Sequence, residues 1–288
     1  MDYLQSREHH YSSACRGECF ESGLIGLTCI ELNLTELCNR TCYFCPRHYS
    51  DVYPNRPLHM SMETLTRLIT QCQLEKYEGE ISLAGFGESL LHPQLVEFVQ
   101  QIANGLPQVT VTLITNGDHL TPFLVEALAT AGLDKIVVSC YDGPKQIPHF
   151  AQMLEGNLPF HLKQLWYEDS DSYKRVLREN YFNDRTGHVV MDGPRYSGAC
   201  YLPFYRMFLD WDGSILLCSN DWGRAVKDLP NLHQKSLRDI WRGEELKRIR
   251  GFLAQGNRTL ASEACKHCTS VCGTLMGKHS FLVHQYSN

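Results

Sequence analysis

Three cysteines, Cys38, Cys42 and Cys45, stand at CxxxCxxC spacing in the stretch Cys38-Asn39-Arg40-Thr41-Cys42-Tyr43-Phe44-Cys45. Thiolates this close along a chain share one loop. Three of them can ligate three irons of a [4Fe–4S] cluster and leave the fourth iron open, whereas ferredoxin-type runs fill every iron with protein sulfur. The alternating, apolar and β-branched stretch over 28–35 reads as a strand, so the triplet sits in the loop just after a first strand. The alternative is a structural zinc knuckle. Zinc sites usually pair two CxxC-like hooks within a short span, and no such hook follows until far downstream.

Beyond that loop, strands and helices alternate to about residue 190. A helix is expected over 61–69 with Ser61 as its N-cap, then a strand over 80–84, a glycine turn and a helix over 92–102. A β-branched strand over 109–114 ends in Thr115-Asn116-Gly117. Thr121-Pro122 opens a helix with proline at its first position, and Gly132 closes it. Further strands are expected over 135–140 and 160–166, and a helix over 172–180. Repeating βα units imply parallel strands with right-handed crossovers, in a barrel or an open sheet; periodicity does not separate the two.

The cysteine triplet, with aromatic Phe44 directly before its third member, resembles the radical S-adenosylmethionine (SAM) superfamily. The resemblance implies an α/β fold, a partial (β/α)6 barrel with its chemistry at the carboxyl ends of the strands, as in full barrels. It also implies that Gly85-Phe86-Gly87-Glu88, about 40 residues beyond the triplet, is a variant of the family's GGE motif. Gly85 and Gly87 would let backbone approach a ligand closely, and Glu88 would accept a hydrogen bond from the SAM ammonium. Thr115, Asn116 and Ser139 match positions where the family contacts ribose or carboxylate, although all three also suit ordinary turns. SAM would chelate the open iron, and reductive cleavage would give methionine and a 5′-deoxyadenosyl radical that takes a hydrogen atom from an unactivated C–H bond.

A second cysteine set follows a Gly/Pro-rich boundary over 187–198. It comprises Cys200, Cys218, Cys265 and Cys268, with Cys272 close behind. The stretch 206–218 reads as a β-hairpin around Asp212-Gly213, and helices are expected over 236–241 and 244–254. This arrangement resembles the SPASM/twitch extensions, small α+β domains that carry an auxiliary iron–sulfur cluster. Four thiolates would ligate one [4Fe–4S] cluster completely; tetrahedral zinc would satisfy the same four. The resemblance therefore implies two [4Fe–4S] clusters, SAM, and a reducing partner such as flavodoxin or ferredoxin. The expected domains are an extension over 1–27, the barrel over 28–195, the auxiliary domain over 196–278 and a tail over 279–288.

Composition narrows the setting. The 13 cysteines in a 288-residue chain that opens with neither a basic start nor an apolar core point to metal ligation in a reducing, cytoplasmic compartment rather than to disulfides. No apolar run reaches the ~18 residues of a membrane span. Net charge is −5 with no basic stripe, which argues against nucleic acid. Cys29 and Cys72 read as core, and Cys15 and Cys19 as an incomplete metal site. Cys140, at the mouth end of the fourth strand, and Cys272 are candidates to return a hydrogen atom to a substrate radical; each is otherwise a buried small hydrophobe or, for Cys272, a substitute ligand.

The residues expected around the mouth are polar and aromatic: Arg47, His48, Tyr49, His92, Tyr141, Asp142, Trp166, Tyr167, Glu168, Arg185 and Arg195. They suit a hydroxylated or amino-bearing small molecule. The single twitch domain is similar to those of dehydrogenases and epimerases acting on sugars and aminocyclitols, so epimerisation or dehydrogenation is expected. Modification of a ribosomal peptide and a non-catalytic iron–sulfur or zinc protein are the alternatives. The 27 residues before the first strand are too few for the peptide-recognition domain that many peptide-maturing relatives carry.

Overall fold

Side-chain alternation along the strands organises the molecule. The computed structural model describes residues 23–143, 145–155, 164–169, 184–189 and 198–270. Within them, β1 (Cys29–Leu32), β2 (Glu80–Leu83), β3 (Thr110–Thr115), β4 (Lys135–Cys140), β5 (Gln164–Asp169), β6 (Arg206–Leu209) and β7 (Ile215–Leu216) form one sheet. Its order is β5-β4-β3-β2-β1-β6-β7. The first six strands run parallel, and β7 returns antiparallel on β6. Strands β5 and β6 lie near opposite ends of this order and do not pair, so the six parallel strands make a partial barrel.

Successive side chains on a strand point to opposite faces. Ile30, Leu32, Ile81, Leu83, Val111, Leu113, Ile136, Val138, Met207 and Leu209 share one core with residues of the helices that cover the sheet. These helices are α1 (Met62–Leu74), α2 (Leu95–Gly105), α3 (Pro122–Thr130) and α4 (Gln146–Glu155). The opposite, inner face carries Glu31, Ser82, Thr112, Ser139, Arg206 and Phe208, all buried. Across this face Arg206 Nη1 donates to Glu31 Oε2 at 2.8 Å, pairing two charges that burial would otherwise penalise heavily.

This alternation corrects one sequence expectation. Cys140 is fully buried and lies on the face of Ile136 and Val138, in the helix-packed core. Its neighbour Ser139 takes the inner face. Two adjacent strand residues cannot both face the barrel interior.

The helix starts follow their caps. Ser61 Oγ accepts from Thr64 N at 3.1 Å at the head of α1, and Thr121 caps α3, which begins with Pro122. Helix α4, for which no element was expected, includes Pro148. Placed within the first turn, it removes only an N–H that has no intrahelical partner. Strand β5 covers the described part of the strand expected over 160–166, and residues 160–163 and the helix expected over 172–180 lie outside the described residues.

The sixth parallel strand, β6, lies beyond the boundary expected after residue 195. It leads through an Asp210-to-Ser214 turn into β7, with Gly213 at φ +83° and Asp210 N donating to Ser214 O at 2.8 Å. After the hairpin come α6 (Leu237–Trp241) and α7 (Glu244–Ala254), with α5 (Leu202–Tyr205) before it and α8 (Arg258–Ala261) and α9 (Glu263–His267) after. The sheet thus runs into the cysteine-bearing C-terminal segment without a break. No helix among the described residues is long and apolar enough to cross a membrane.

Candidate active site

Because β1 to β4 are parallel, the loops leaving their carboxyl ends gather at one end of the barrel, and side chains bond them to one another. In the first loop Cys38, Cys42 and Cys45 are all unpaired thiols, each partly exposed. Asn55 holds the loop's start, accepting from Cys38 N at 2.9 Å and donating to Cys38 O at 3.0 Å. Burial, reinforced by the neighbouring cysteines, pushes the Cys42 thiol up to about 11, and burial raises Cys38 as well. Three thiols gathered on one pinned loop suit a cationic partner that would displace their protons.

Glu88 is the knot between the second and third loops. It is buried, and its Oε1 accepts from Thr115 Oγ1 at 2.7 Å and Leu90 N at 3.1 Å, while Oε2 accepts from Asn116 N at 2.9 Å. Burial nevertheless leaves its carboxyl above the usual carboxylate range, the state of an acceptor in need of a positive partner. Asn116 Nδ2 donates to Asn39 Oδ1 at 2.8 Å, carrying the chain of bonds into the cysteine loop. From there Arg40 reaches Asp118 and Asp142, at 2.6 Å from Nε and 3.0 Å from Nη1, tying in the fourth loop. Phe44 packs on Tyr141 with ring centroids 5.1 Å apart. Cys38–Cys45, Glu88 and Asn116 thus sit on loops that hydrogen bonds and ring contacts hold together, with Thr115 and Ser139 at the ends of β3 and β4 beneath them.

The glycines of the second loop are also required by the chain packed beside them. A Cβ on Gly87 would stand 2.0 Å from Thr35 O, and one on Gly85 would stand 2.5 Å from Asn33 Oδ1. Their close approach is to the chain leaving β1. Asn33 Oδ1 accepts from Phe86 N at 2.9 Å and Gly87 N at 3.2 Å, which sets the loop's path past the cysteines.

Asn33 also opens a polar network that sequence reasoning missed. Its Nδ2 donates to Asp210 Oδ1 at 2.8 Å and to Glu36 Oε1 at 3.2 Å. Arg224 bridges Asp210 and Glu36 in turn, with Nε 2.7 Å from Asp210 Oδ2. Arg47 joins from the cysteine loop, donating to Phe86 O at 2.7 Å and to Glu36 Oε2 at 3.3 Å. These residues come from the segments that follow β1, β2, β6 and β7, separated by up to 188 positions. Short-range pattern cannot bring them together.

The second thiol set gathers from three segments. Cys200 precedes α5, Cys218 follows β7, and Cys265 and Cys268 lie in α9 and at its end. Burial and the other cysteines push Cys218 well up, and burial brings Cys265 and Cys268 up to about 12. Arg258, buried, fastens the segment by donating to Gly198 O, Cys268 O and Ser270 O at 2.8, 2.9 and 2.8 Å. Among the described residues no group of three His, Cys, Asp or Glu closes on a point as the ligands of one metal ion do. Both thiol sets are grouped at electrostatic range.

Several mouth candidates lie elsewhere. His92 is buried among helices, with Nδ1 accepting from Gln94 N and Nε2 3.0 Å from Met60 O, so it pins α2 rather than facing a ligand. Arg47 is a buried clamp. His48 and Tyr49 stack on each other at 5.4 Å. Arg185 Nη1 donates to Asn220 Oδ1 at 2.9 Å, near the second set. Trp166, Tyr167 and Glu168 lie on β5, described here by its backbone. Arg195, Cys15, Cys19 and Cys272 lie outside the described residues.

Comparison with known proteins matches these regions separately. The radical SAM superfamily model matches residues 32–153, and the model of the SPASM iron–sulfur cluster-binding domain matches residues 200–269. The chain is similar to an S-adenosyl-L-methionine-dependent 2-deoxy-scyllo-inosamine dehydrogenase of Niallia circulans, with 26% identity over 245 residues, 84% of this chain and 92% of that one. A crystal structure of BtrN in complex with AdoMet and 2-DOIA superposes with a TM-score of 0.72 at 25% identity, covering 85% of this chain and 94% of that one. A GTP 3′,8-cyclase of Streptomyces coelicolor is 32% identical over 112 residues, 39% of this chain and only 32% of the cyclase.

Proposed function

The chain belongs to the radical SAM superfamily and carries a SPASM-type iron–sulfur domain, and from that premise we propose that it dehydrogenates a secondary alcohol of a small, amino-bearing polyol. Its cofactors are SAM and iron–sulfur clusters, one of them auxiliary. When bound, SAM and its cluster supply a 5′-deoxyadenosyl radical that removes a hydrogen atom from a C–H bond.

In this reading Cys38, Cys42 and Cys45 ligate three irons of one [4Fe–4S] cluster, and Cys200, Cys218, Cys265 and Cys268 ligate the second. Glu88 accepts the ammonium of the SAM methionine moiety, whose charge offsets the burial of that carboxylate. Thr115 and Asn116 orient Glu88 through their two hydrogen bonds. Ser139 faces inward for a ribose or carboxylate contact, and Phe44 with Tyr141 screens the cysteine loop from water. A flavodoxin or ferredoxin in the cytoplasm serves as electron donor.

The observation that carries the reading is the likeness to the inosamine dehydrogenase along 92% of its length, with both thiol sets inside the matched families' segments. The helix-side position of Cys140 leaves Cys272 as the remaining hydrogen-donor candidate, and the dehydrogenase activity of the relative supports oxidation.

The test is anaerobic incubation of the reconstituted enzyme with SAM, dithionite and 2-deoxy-scyllo-inosamine. Formation of 5′-deoxyadenosine with a ketone two mass units lighter than the amine is expected. Solvent deuterium incorporated into unoxidised amine would instead indicate epimerisation.

A further inference from the structure

Tyr53, in the extended cysteine loop, and His188, 135 residues later, meet in one short hydrogen bond, Oη to Nδ1 at 2.5 Å. Their rings pack edge to face, 5.2 Å apart. The Tyr53 ring also meets Trp222 at 5.4 Å, and Trp222 stacks on Phe86, from the Glu88 loop, at 4.3 Å. Cys45 and Tyr53 both pack on the apolar cluster of Phe86, Phe208, Leu216 and Trp222. Phe208 belongs to the inner face of the barrel, and Trp222 follows Cys218 by four positions. The pair therefore lies between the two thiol sets.

Two features mark this place as built to receive a ligand. The Trp222 indole N–H is buried and has no hydrogen-bond partner among the described residues, so a donor there awaits an oxygen. The turn carrying His188 is also held in an unfavourable shape. Arg185, Thr186 and Gly187 all have positive φ, at 51°, 61° and 87°, and a β-branched residue in that region is a genuine outlier. Surrounding bonds enforce it: Thr186 Oγ1 donates to Asn220 O at 3.0 Å, Val189 N to Asp184 O at 3.0 Å, and Asp184 N to Thr269 Oγ1 at 3.0 Å. Such imposed strain clusters at functional sites.

We propose that Tyr53 and His188 form the proton relay of the oxidation, taking the hydroxyl proton of the substrate carbon that has lost its hydrogen atom. This rests on the dehydrogenase reading above. The carbon-bound hydrogen leaves as an atom to the 5′-deoxyadenosyl radical. The hydroxyl proton passes to Tyr53 Oη as the phenolic proton moves to His188 Nδ1. The remaining electron would be taken up by a one-electron acceptor, the chemistry that an oxidised iron–sulfur cluster held by Cys200, Cys218, Cys265 and Cys268 would supply, and the C–O bond becomes a carbonyl.

The surroundings suit both partners. Burial pushes the Tyr53 phenol up to about 12, with Asp221 opposing its ionisation and Arg224 favouring it, so it stays a donor. Burial, with His267, holds His188 below its ordinary value, while Asp221 and Asp184 favour its charged form. The imidazole is thus neutral and ready to accept, and two carboxylates stabilise the cation once formed. Gly223 leaves His188 Nε2 room, since a Cβ there would stand 2.9 Å away, and the half-exposed ring can pass its proton onward to water.

The test uses reconstituted wild type, Tyr53→Phe and His188→Asn with 2-deoxy-scyllo-inosamine deuterated at its carbinol carbons. Wild type should place deuterium in 5′-deoxyadenosine and yield ketone, with ketone yield falling as acid protonates His188. Both variants should still transfer deuterium while ketone per 5′-deoxyadenosine drops about 10²-fold, and His188→Asn should lose the acid limb. Unchanged coupling with the acid limb intact in both variants overturns the relay, as does loss of deuterium transfer together with ketone. No deuterium transfer in wild type would refute the aminocyclitol reading and, with it, the relay.

Discussion

Cys38, Cys42 and Cys45 come from eight neighbouring positions and depend on loop-to-loop hydrogen bonds for their arrangement. Cys200, Cys218, Cys265 and Cys268 arrive from segments up to 68 positions apart, and Cys200, Cys218 and Cys265 join the main hydrophobic core. The first set belongs to a rim of loops joined by side-chain hydrogen bonds. The second is part of the packing itself. What binds the first governs reactivity; what binds the second should also govern folding.

Removing thiols from each set in turn should separate these roles most clearly. Cys218→Ala is expected to lose about half of the iron and to lower stability by about 3–5 kcal/mol, read by iron analysis and anaerobic thermal melting. Replacing Cys38, Cys42 and Cys45 together should also remove about half of the iron and abolish SAM cleavage, yet move the melting temperature far less. Equal destabilisation by both would erase the distinction.

Glu88 sharpens the contrast from the rim. Its folded-state carboxyl lies above the ordinary value because burial opposes its charge, whereas an ammonium needs the carboxylate. SAM affinity should therefore rise with pH through that raised value and fall on the acid side. Glu88→Gln should weaken SAM binding about tenfold or more, the loss of one charged hydrogen bond, and flatten the pH dependence. Calorimetric titration of SAM between about pH 5 and pH 8 reads both effects; an unchanged affinity would remove Glu88 from the ammonium site.

The smallest effect is expected at Cys140. Cys140→Ala should lower stability by about 1 kcal/mol as a minor core truncation and leave turnover per iron unchanged. A loss of turnover in this variant, with stability kept, would place the thiol back among the reacting groups.

What was legible in sequence follows the same division. The cysteine triplet, the Ser61 and Thr121 caps and the strands around residues 30, 81, 111 and 137 are local signals, and each appears where short-range chemistry places it. Glu88 was found as a ligand candidate, but its bonds to Thr115 and Asn116 depend on β2 and β3 lying side by side. Gly85 and Gly87 were read as a glycine turn open to a ligand, while their close approach to Asn33 and the carbonyl of Thr35 left no local signal. The Asn33–Glu36–Arg47–Asp210–Arg224 network, the Arg258 clamp and the Tyr53–His188 pair left no local pattern, because each exists only once distant segments meet.

The ladder between β1 and β6 pairs Cys29 with Arg206 and Leu32 with Leu209, and it makes the C-terminal segment non-portable. A chain divided after residue 195 would carry β6 away with the auxiliary cysteines and leave β1 as a bare edge of unpaired N–H and C=O groups. Such an edge invites pairing with other chains. Grafting this iron–sulfur segment onto another barrel would therefore mean transferring a strand as well as a cluster site, in the register that the recipient's first strand dictates. Shuffling of such modules in nature faces the same seam.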